Sequence, residues 1–234
     1  MNKKKLVLFA YNFEHKKTQD IILRLFLEGV KINFILANDW IKLKIPPSSI
    51  RAKIKHIGLV HPQKIAERIG VPYYVLHHNS FEAKQLIESE GIDIGIIAGA
   101  RILKKPIIDA FNIGIINLHP GLLPEARGLD AMLWSIYKDL PLGVTAHLID
   151  ENIDAGRLLI KEKIKLQKED TILDISERLY EKQLEILVPA ICAASESVGA
   201  PIDPSLHYNR KMDAEKERIV LNKLQDYIRE YHTK

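Results

Sequence analysis

The sequence predicts an α/β fold: a Rossmann-like, mostly parallel, twisted sheet with helices on both faces and a short helical C-terminal extension. Three observations carry this. Short, nearly continuous apolar runs recur at Leu6 to Ala10, Ile32 to Ala37, Ile92 to Ala98 and Ile113 to Leu118. Strands covered on both faces read this way, and such strands belong to parallel sheets. Helical patterns fall between the runs, which is the alternation of a doubly wound sheet. Glycines stand just past the expected helix ends, at Gly29, Gly70 and Gly91, where a left-handed residue closes a helix without steric cost.

Taken in order, Leu6 to Ala10 is a first buried strand, Thr18 to Leu27 its helix, and Ile32 to Ala37 a second strand. The turn from Tyr11 to Lys17 contains no glycine, so a Gly-rich phosphate cradle is absent. Lys16, Lys17 and the helix N-terminus still offer a place for an anion; the plainer reading is a solvated turn with two surface lysines. Asp39 to Ile50 is irregular, with a loop at Pro46-Pro47-Ser48-Ser49, and Lys53 to Ile57 reads as a short strand. Pro62 to Ile69 is a helix and Tyr73 to Leu76 a strand, and Ser80 caps a helix from Phe81 to Glu90. His61, His77 and His78 come from separate turns without cysteine or ligand spacing, so no metal site is expected.

Ile92 to Ala98 is the central strand. Beyond Ile113 to Leu118 come a helical pattern and a strand from Gly143 to Ile149, then an acidic loop from Asp150 to Gly156. Arg157 to Leu166 alternates as an edge strand or hairpin arm. Thr171 to Ala194 is a long amphipathic helix that Pro189 kinks or splits. Ser195 to Pro204 reads as a loop, and His207-Tyr208-Asn209-Arg210-Lys211 after it is an aromatic-and-basic stretch. A charged helix from Asp213 to Tyr231 ends the pattern, and its Ile219, Leu221, Leu224, Tyr227 and Ile228 pack on the domain or on a second subunit, which leaves a homodimer open. The expected division is a catalytic domain over 1–195 and an extension, loop then helix, over 196–234.

Composition narrows the classes of function. A net charge of +4 suits an anionic small molecule but is too weak to argue for nucleic acid. The single cysteine, Cys192, excludes an internal disulfide and points to the cytoplasm. Lys3-Lys4-Lys5 precedes an apolar stretch that breaks at Asn12, too soon for a secretory signal, and no run is long enough for a membrane span.

Chemistry concentrates between Ile113 and Gly156. Asn117 and His119 stand two residues apart at a strand's end, so strand alternation puts both side chains on one face. Asp154 lies in the loop after the next strand. An amide, an imidazole and a carboxylate at the ends of neighbouring strands are equipment for acyl transfer to an amine. Ser135, Ser176 and Cys192 have no evident base near them in sequence, so a covalent nucleophile is not supported.

Asn117-x-His119-Pro-x-Leu-Leu-Pro, followed about thirty-five residues on by Ile153-Asp154-x-Gly156, resembles the motif of the 10-formyltetrahydrofolate-dependent formyltransferases. The resemblance is densest from Ile92 to Lys165. It implies the formyltransferase fold, 10-formyltetrahydrofolate as donor, no metal, and Asn117, His119 and Asp154 as the catalytic group. Gly99-Ala100-Arg101-Ile102-Leu103 is similar to the family's pterin-binding loop. Arg101, Ile102 and Leu103, with Asp150 and Ile153, are therefore implied on the folate side. Asn12 and Arg127 are candidates for the acceptor side, Arg127 alternatively bracing its own loop, and His147, facing the same way as Thr145, is a candidate for a supporting position behind the reacting groups. Gly121 stands where the family commonly has serine, which puts a hydroxyl contact there in doubt.

The implied chemistry is direct. A neutral amine adds to the formyl carbonyl and an oxyanion forms; fixed donors stabilise it, and one such donor is worth about 3 kcal/mol of barrier. The Asn117 amide and a protonated His119 are suitable donors. Asp154 holds His119 in orientation and, directly or through a water, takes the proton the amine must lose; His119 protonates the leaving folate nitrogen. Among acceptors, the family's glycinamide ribonucleotide enzymes carry a Gly-Asn-Gly type loop where this chain has Tyr11 to Lys17, and its methionyl-tRNA enzymes carry a C-terminal barrel unlike the helical tail here. The expectation is a nucleotide-linked amino sugar of surface polysaccharide biosynthesis, with no nucleic-acid or membrane partner. Glycinamide ribonucleotide is the alternative, a formyltetrahydrofolate hydrolase a further rival, and a catalytically silent folate- or nucleotide-binding protein the reading from another class.

Overall fold

The computed structural model describes residues 4–42, 44–46, 48–53, 56, 58–152, 154–196, 199–203, 205 and 208–232. Its strands are β1 (Leu6–Tyr11), β2 (Phe34–Asn38), β3 (Tyr73–Val75), β4 (Ile94–Ile97), β5 (Gly114–His119), β6 (Gly143–Leu148), β7 (Gly156–Lys163) and β8 (Ala200–Ile202). They form one sheet in the order β3-β2-β1-β4-β5-β6-β7-β8. Pairs from β3 through β5 are parallel, and those from β5 through β8 are antiparallel. The strand order reverses between β1 and β4, and in such sheets ligands sit beyond the carboxyl ends of the strands at that point.

The helices are α1 (Lys16–Leu27), α2 (Pro62–Ile69), α3 (Phe81–Glu90), α4 (Lys105–Ile108), α5 (Ala131–Tyr137), α6 (Ile172–Glu185), α7 (Leu187–Ser195) and α8 (Ala214–Tyr231). Capping follows local chemistry. Ser80 accepts from the Ala83 N–H at the start of α3, and Gly70 and Gly91 end α2 and α3 in the left-handed conformation. Two cores cover the two faces of the sheet. Leu8, Ile96, Ile116 and Leu118 pack with α1, α5, α6, α7 and α8; Val7, Phe9, Leu36 and Ile115 pack with α3 and α4. Among the described residues no helix is long and apolar enough to cross a membrane.

Several boundaries differ from expectation for identifiable reasons. The long helix breaks at Ile186. Pro189 then falls in the first turn of α7, where backbone N–H groups have no helical partner and a missing one costs nothing. The stretch from Ser195 to Pro204 contains β8, which pairs with β7; β7 is thus an inner strand of the sheet. The strand expected at Lys53 to Ile57 includes positions outside the described residues. On α8, Val220, Leu224, Tyr227 and Ile228 are buried, whereas Ile219 and Leu221 face outward. Tyr227 also donates to the Leu140 carbonyl at 2.6 Å, which seats α8 on the end of the α5 turn.

Candidate active site

Ile115 belongs to the core on the α3 side of the sheet, and Ile116 and Leu118 to the core on the other side. By alternation Asn117 and His119 therefore continue the Ile115 face, as their spacing predicts. β6 runs antiparallel beside them, and Asn117 pairs with His147 while His119 pairs with Thr145.

Each pair is used. His147 Nδ1 donates to the Ala155 carbonyl at 2.8 Å, which leaves Nε2 with its lone pair, and the Asn117 amide donates to that Nε2 at 3.1 Å. Burial holds the His147 pKa down at about 4, with the nearby His119 lowering it further; the ring is neutral at pH 7 and can accept. Thr145 Oγ1 donates to the Gly121 carbonyl at 2.7 Å and accepts from the Leu123 N–H at 3.0 Å, tying down the turn that follows His119.

The carboxylate arrives by a less direct route. Because β6 is antiparallel to β5, its end at Leu148 lies beside Ile116, three positions back from His119, or about 10 Å along the strand. Asp154, six residues beyond Leu148, is back beside His119. Asp154 then sits with Oδ1 3.5 Å from His119 Nδ1, while its Oδ2 accepts from the Gly128 N–H at 2.9 Å. Its backbone is left-handed, with φ at 49°, a conformation that aspartate tolerates better than most residues. His119 Nε2 donates to the Ala126 carbonyl at 2.8 Å, and the ring is buried. Gly121 is required by space: a Cβ there would lie 2.9 Å from the Cβ atoms of Ala126 and Ala131 and 3.0 Å from His119 Nε2. No serine side chain fits without movement.

The remaining candidates are placed as follows. Leu103 is buried with Ile107, Phe111 and Ile115; Ile97, Ala100 and Ile149 pack partly buried against that group. Ile102 is exposed, and its carbonyl accepts from Asn79 at 3.0 Å. Arg101 turns towards the end of β1, donating to the Ile41 carbonyl at 2.9 Å and lying 5.7 Å from the Tyr11 ring centroid. Asp150 closes its own turn, accepting from the Asn152 N–H at 2.7 Å. Ile153 lies outside the described residues. A cleft of about 720 Å³ takes in Ile149, Asp150, Gly114 and Arg157 but neither Asn117 nor His119, so it borders the start of β5 and not the polar end.

Of the two residues expected to face an acceptor, the Asn12 amide donates to Asp39 at 2.7 Å, and its oxygen accepts from the Tyr73 hydroxyl at 2.9 Å. Arg127 is buried, and its carbonyl accepts twice from Asn209. His61 caps α2, and His78 is buried against the Leu36 carbonyl.

Three residues outside the expected site shape it. His15 caps α1 by accepting from Thr18, a role its position before the helix signals. Lys17, read as a surface or anion-binding lysine, sends its amine inward to the Leu118 carbonyl at 3.1 Å and to Gln183 at 3.3 Å. Burial, with Lys53 nearby, lowers its pKa to about 8. Nothing in the sequence marks it, because the contact spans a hundred residues. Asn209, inside an aromatic-and-basic stretch, is fully buried beside Arg127 and Gly128.

The sequence profile of the formyl transferase family matches residues 45–191. The human trifunctional purine biosynthetic protein adenosine-3 is 27% identical over 191 residues, covering 77% of this chain and 19% of that protein. A methionyl-tRNA formyltransferase of Clostridium perfringens is 29% identical over 149 residues, 62% of this chain and 48% of that one. The chain thus spans less than half the length of these relatives. Among solved structures, the formyltransferase PseJ from Anoxybacillus kamchatkensis, in complex with UDP-4,6-dideoxy-4-formamido-L-AltNAc and tetrahydrofolate, superposes with a TM-score of 0.59 at 20% identity over 97% of both chains. At that identity the likeness is one of fold.

Proposed function

From the premise that this chain belongs to the formyl transferase family, we propose that it is an N-formyltransferase, moving a formyl group from 10-formyltetrahydrofolate to the primary amine of a nucleotide-linked amino sugar. The observation that carries the reading is the convergence of Asp154 on His119, 3.5 Å apart, beside an Asn117 amide held by His147.

In this reading the amine nitrogen bonds to the formyl carbon, and the carbonyl oxygen takes the electron pair. Asn117 keeps one N–H on His147 and offers the other to the oxyanion. His119 exchanges its bond to the Ala126 carbonyl for one to the oxyanion, a charged and therefore stronger acceptor. Asp154 receives, directly or through a water, the proton that the nitrogen loses. The bond from the formyl carbon to the folate nitrogen then breaks, and His119 supplies that nitrogen's proton. Charge and protons balance without a covalent enzyme intermediate. For the donor, the partly buried Ile97, Ala100 and Ile149 pack with the buried Leu103 on one side of the sheet, an apolar surface suited to a flat ring with polar edges. Arg101, Ile102, Leu103, Asp150 and Ile153 remain the folate-side candidates.

The acceptor choice rests on the turn after β1. Its Asn12 amide is taken by the Asp39 carboxylate, and its Tyr11 and Phe13 rings stack with centroids 4.9 Å apart. A carboxylate and two rings at this point disfavour the phosphate of glycinamide ribonucleotide and favour a less charged group. Residues 1–195 carry the proposed catalytic side chains, and the part of the chain after them adds β8 to the same sheet and α8 to the same core.

The test is to measure donor consumption with a panel of amino-sugar nucleotides and with glycinamide ribonucleotide, alongside His119→Ala and Asn117→Ala. Transfer to an amino-sugar nucleotide, lost in both variants, supports the reading. Preference for glycinamide ribonucleotide overturns the acceptor, and wild-type turnover equal to that of the variants overturns catalysis.

A further inference from the structure

The loop at 126–129 touches both members of the His119–Asp154 pair. The Ala126 carbonyl accepts from His119 Nε2 at 2.8 Å, and the Gly128 N–H donates to Asp154 Oδ2 at 2.9 Å. These residues belong to no helix or strand; on the N-terminal side the Ala126 N–H donates to the Leu122 carbonyl at 2.9 Å.

Residues 127–130 are held by the C-terminal segment. Asn209 is fully buried. Its backbone N–H and its side-chain amide both donate to the Arg127 carbonyl, at 3.0 and 2.8 Å, and its own carbonyl accepts from the Leu129 N–H at 2.9 Å. Its side-chain oxygen accepts from Lys138 at 2.6 Å. Gly128, between the two gripped residues, has φ at 101°, and a Cβ there would lie 2.1 Å from the Asn209 carbonyl oxygen. Next to it the segment is pinned twice more: Trp134 donates to the Arg210 carbonyl at 2.8 Å, and Asp130 accepts from Lys211 and from the Met212 N–H.

We infer that Asn209 is a positioning residue that clamps residues 127–129, so that Gly128 and Ala126 hold Asp154 and His119 in register. The C-terminal segment thereby completes the active site. The kinetic consequence rests on the formyl-transfer reading above; the geometry does not. A displacement of about 1 Å in a reacting constellation costs on the order of 100-fold in rate, and the loop carries the ring's contact at one residue and the carboxylate's contact two residues on.

Asn209→Asp keeps the size of the side chain and its contact to Lys138, but sets an acceptor against the Arg127 carbonyl. The expected result is a kcat lower by roughly 10- to 100-fold, with KM for the folate donor changed by less than about threefold, as for an interaction made in the transition state. In an Asp154→Asn background the same substitution should cost less than about twofold more, because residues acting through one another are non-additive. The ¹⁵N resonance of His119 Nδ1 should move in Asn209→Asp towards its position in Asp154→Asn. Lys138→Met, which frees only the side-chain oxygen, should lower kcat in the same direction by about threefold and serves if Asn209→Asp does not fold. Unchanged kcat, losses that multiply, or an unmoved His119 resonance overturns the inference. A wild-type protein that transfers no formyl group overturns the proposed function instead, and the resonance comparison still decides the positioning role.

Discussion

His147 lies directly across the sheet from Asn117, and its Nε2 accepts a hydrogen bond from the Asn117 amide at 3.1 Å. The other ring nitrogen is committed to the Ala155 carbonyl, so the ring has one tautomer and the amide one orientation. The same histidine thus aims Asn117 and anchors the chain next to Asp154.

His147→Leu keeps the volume but removes both bonds. The amide of Asn117 then loses its fixed direction, and kcat for formyl transfer should fall by about tenfold, less than the roughly 100-fold cost of deleting an oxyanion donor outright. Steady-state kinetics beside Asn117→Ala checks the ranking. Equal losses in the two variants would contradict it.

Burial holds His15, His78 and His147 at pKa values of about 4, below the ordinary 6.5. The unfolded chain therefore binds more protons than the folded one between these values, and stability rises with pH across that window. The contribution is intact above pH 6.5 and is lost as pH falls towards 4. Tm should drop by several degrees from pH 7 to pH 5, with a shallower slope in His147→Leu. A Tm that holds or rises on acidification would refute the assignment.

Gly121→Ser introduces a Cβ within 3.0 Å of Ala126, Ala131 and His119. Overpacking of this kind costs about 1–3 kcal/mol, so the midpoint of urea unfolding should fall. Activity should fall with it, because one of the crowded atoms is the imidazole nitrogen. A stable, fully active serine variant would show that the turn yields more easily than its contacts imply.

Asp154→Asn can retain the bond to the Gly128 N–H through the amide oxygen while removing the base. Turnover should fall by 100-fold or more, in the range of general acid–base contributions, with Tm within a few degrees of wild type. Loss of folding in place of activity would recast Asp154 as a structural residue holding its own left-handed turn.

Much of this fold can be read from the chain without coordinates. The apolar runs from Leu6, Ile92 and Ile113 are β1, β4 and β5, and Ser80 caps α3. The site reads only in part. Asn117 and His119 share a face because alternation along one strand is a local property. Lys17 points inward, against its surface reading, because its environment is supplied by Leu118 and Gln183, and a lysine's destination depends on what lies above it and not on its neighbours in the chain. The strand at Ala200–Ile202 escaped notice because three residues carry too little periodicity to register.

The strand–helix alternation, the helix stops and the common face of the amide and the imidazole are legible in the chain alone, since each depends on a few consecutive residues and the fixed periods of helix and strand. It took the packed chain to set β6 antiparallel to β5, to bring Asp154 to His119, and to carry Asn209 across to the Arg127 carbonyl. Those outcomes depend on which distant segments are buried together, and the energy of such contacts is a property of the packed whole that no local pattern encodes.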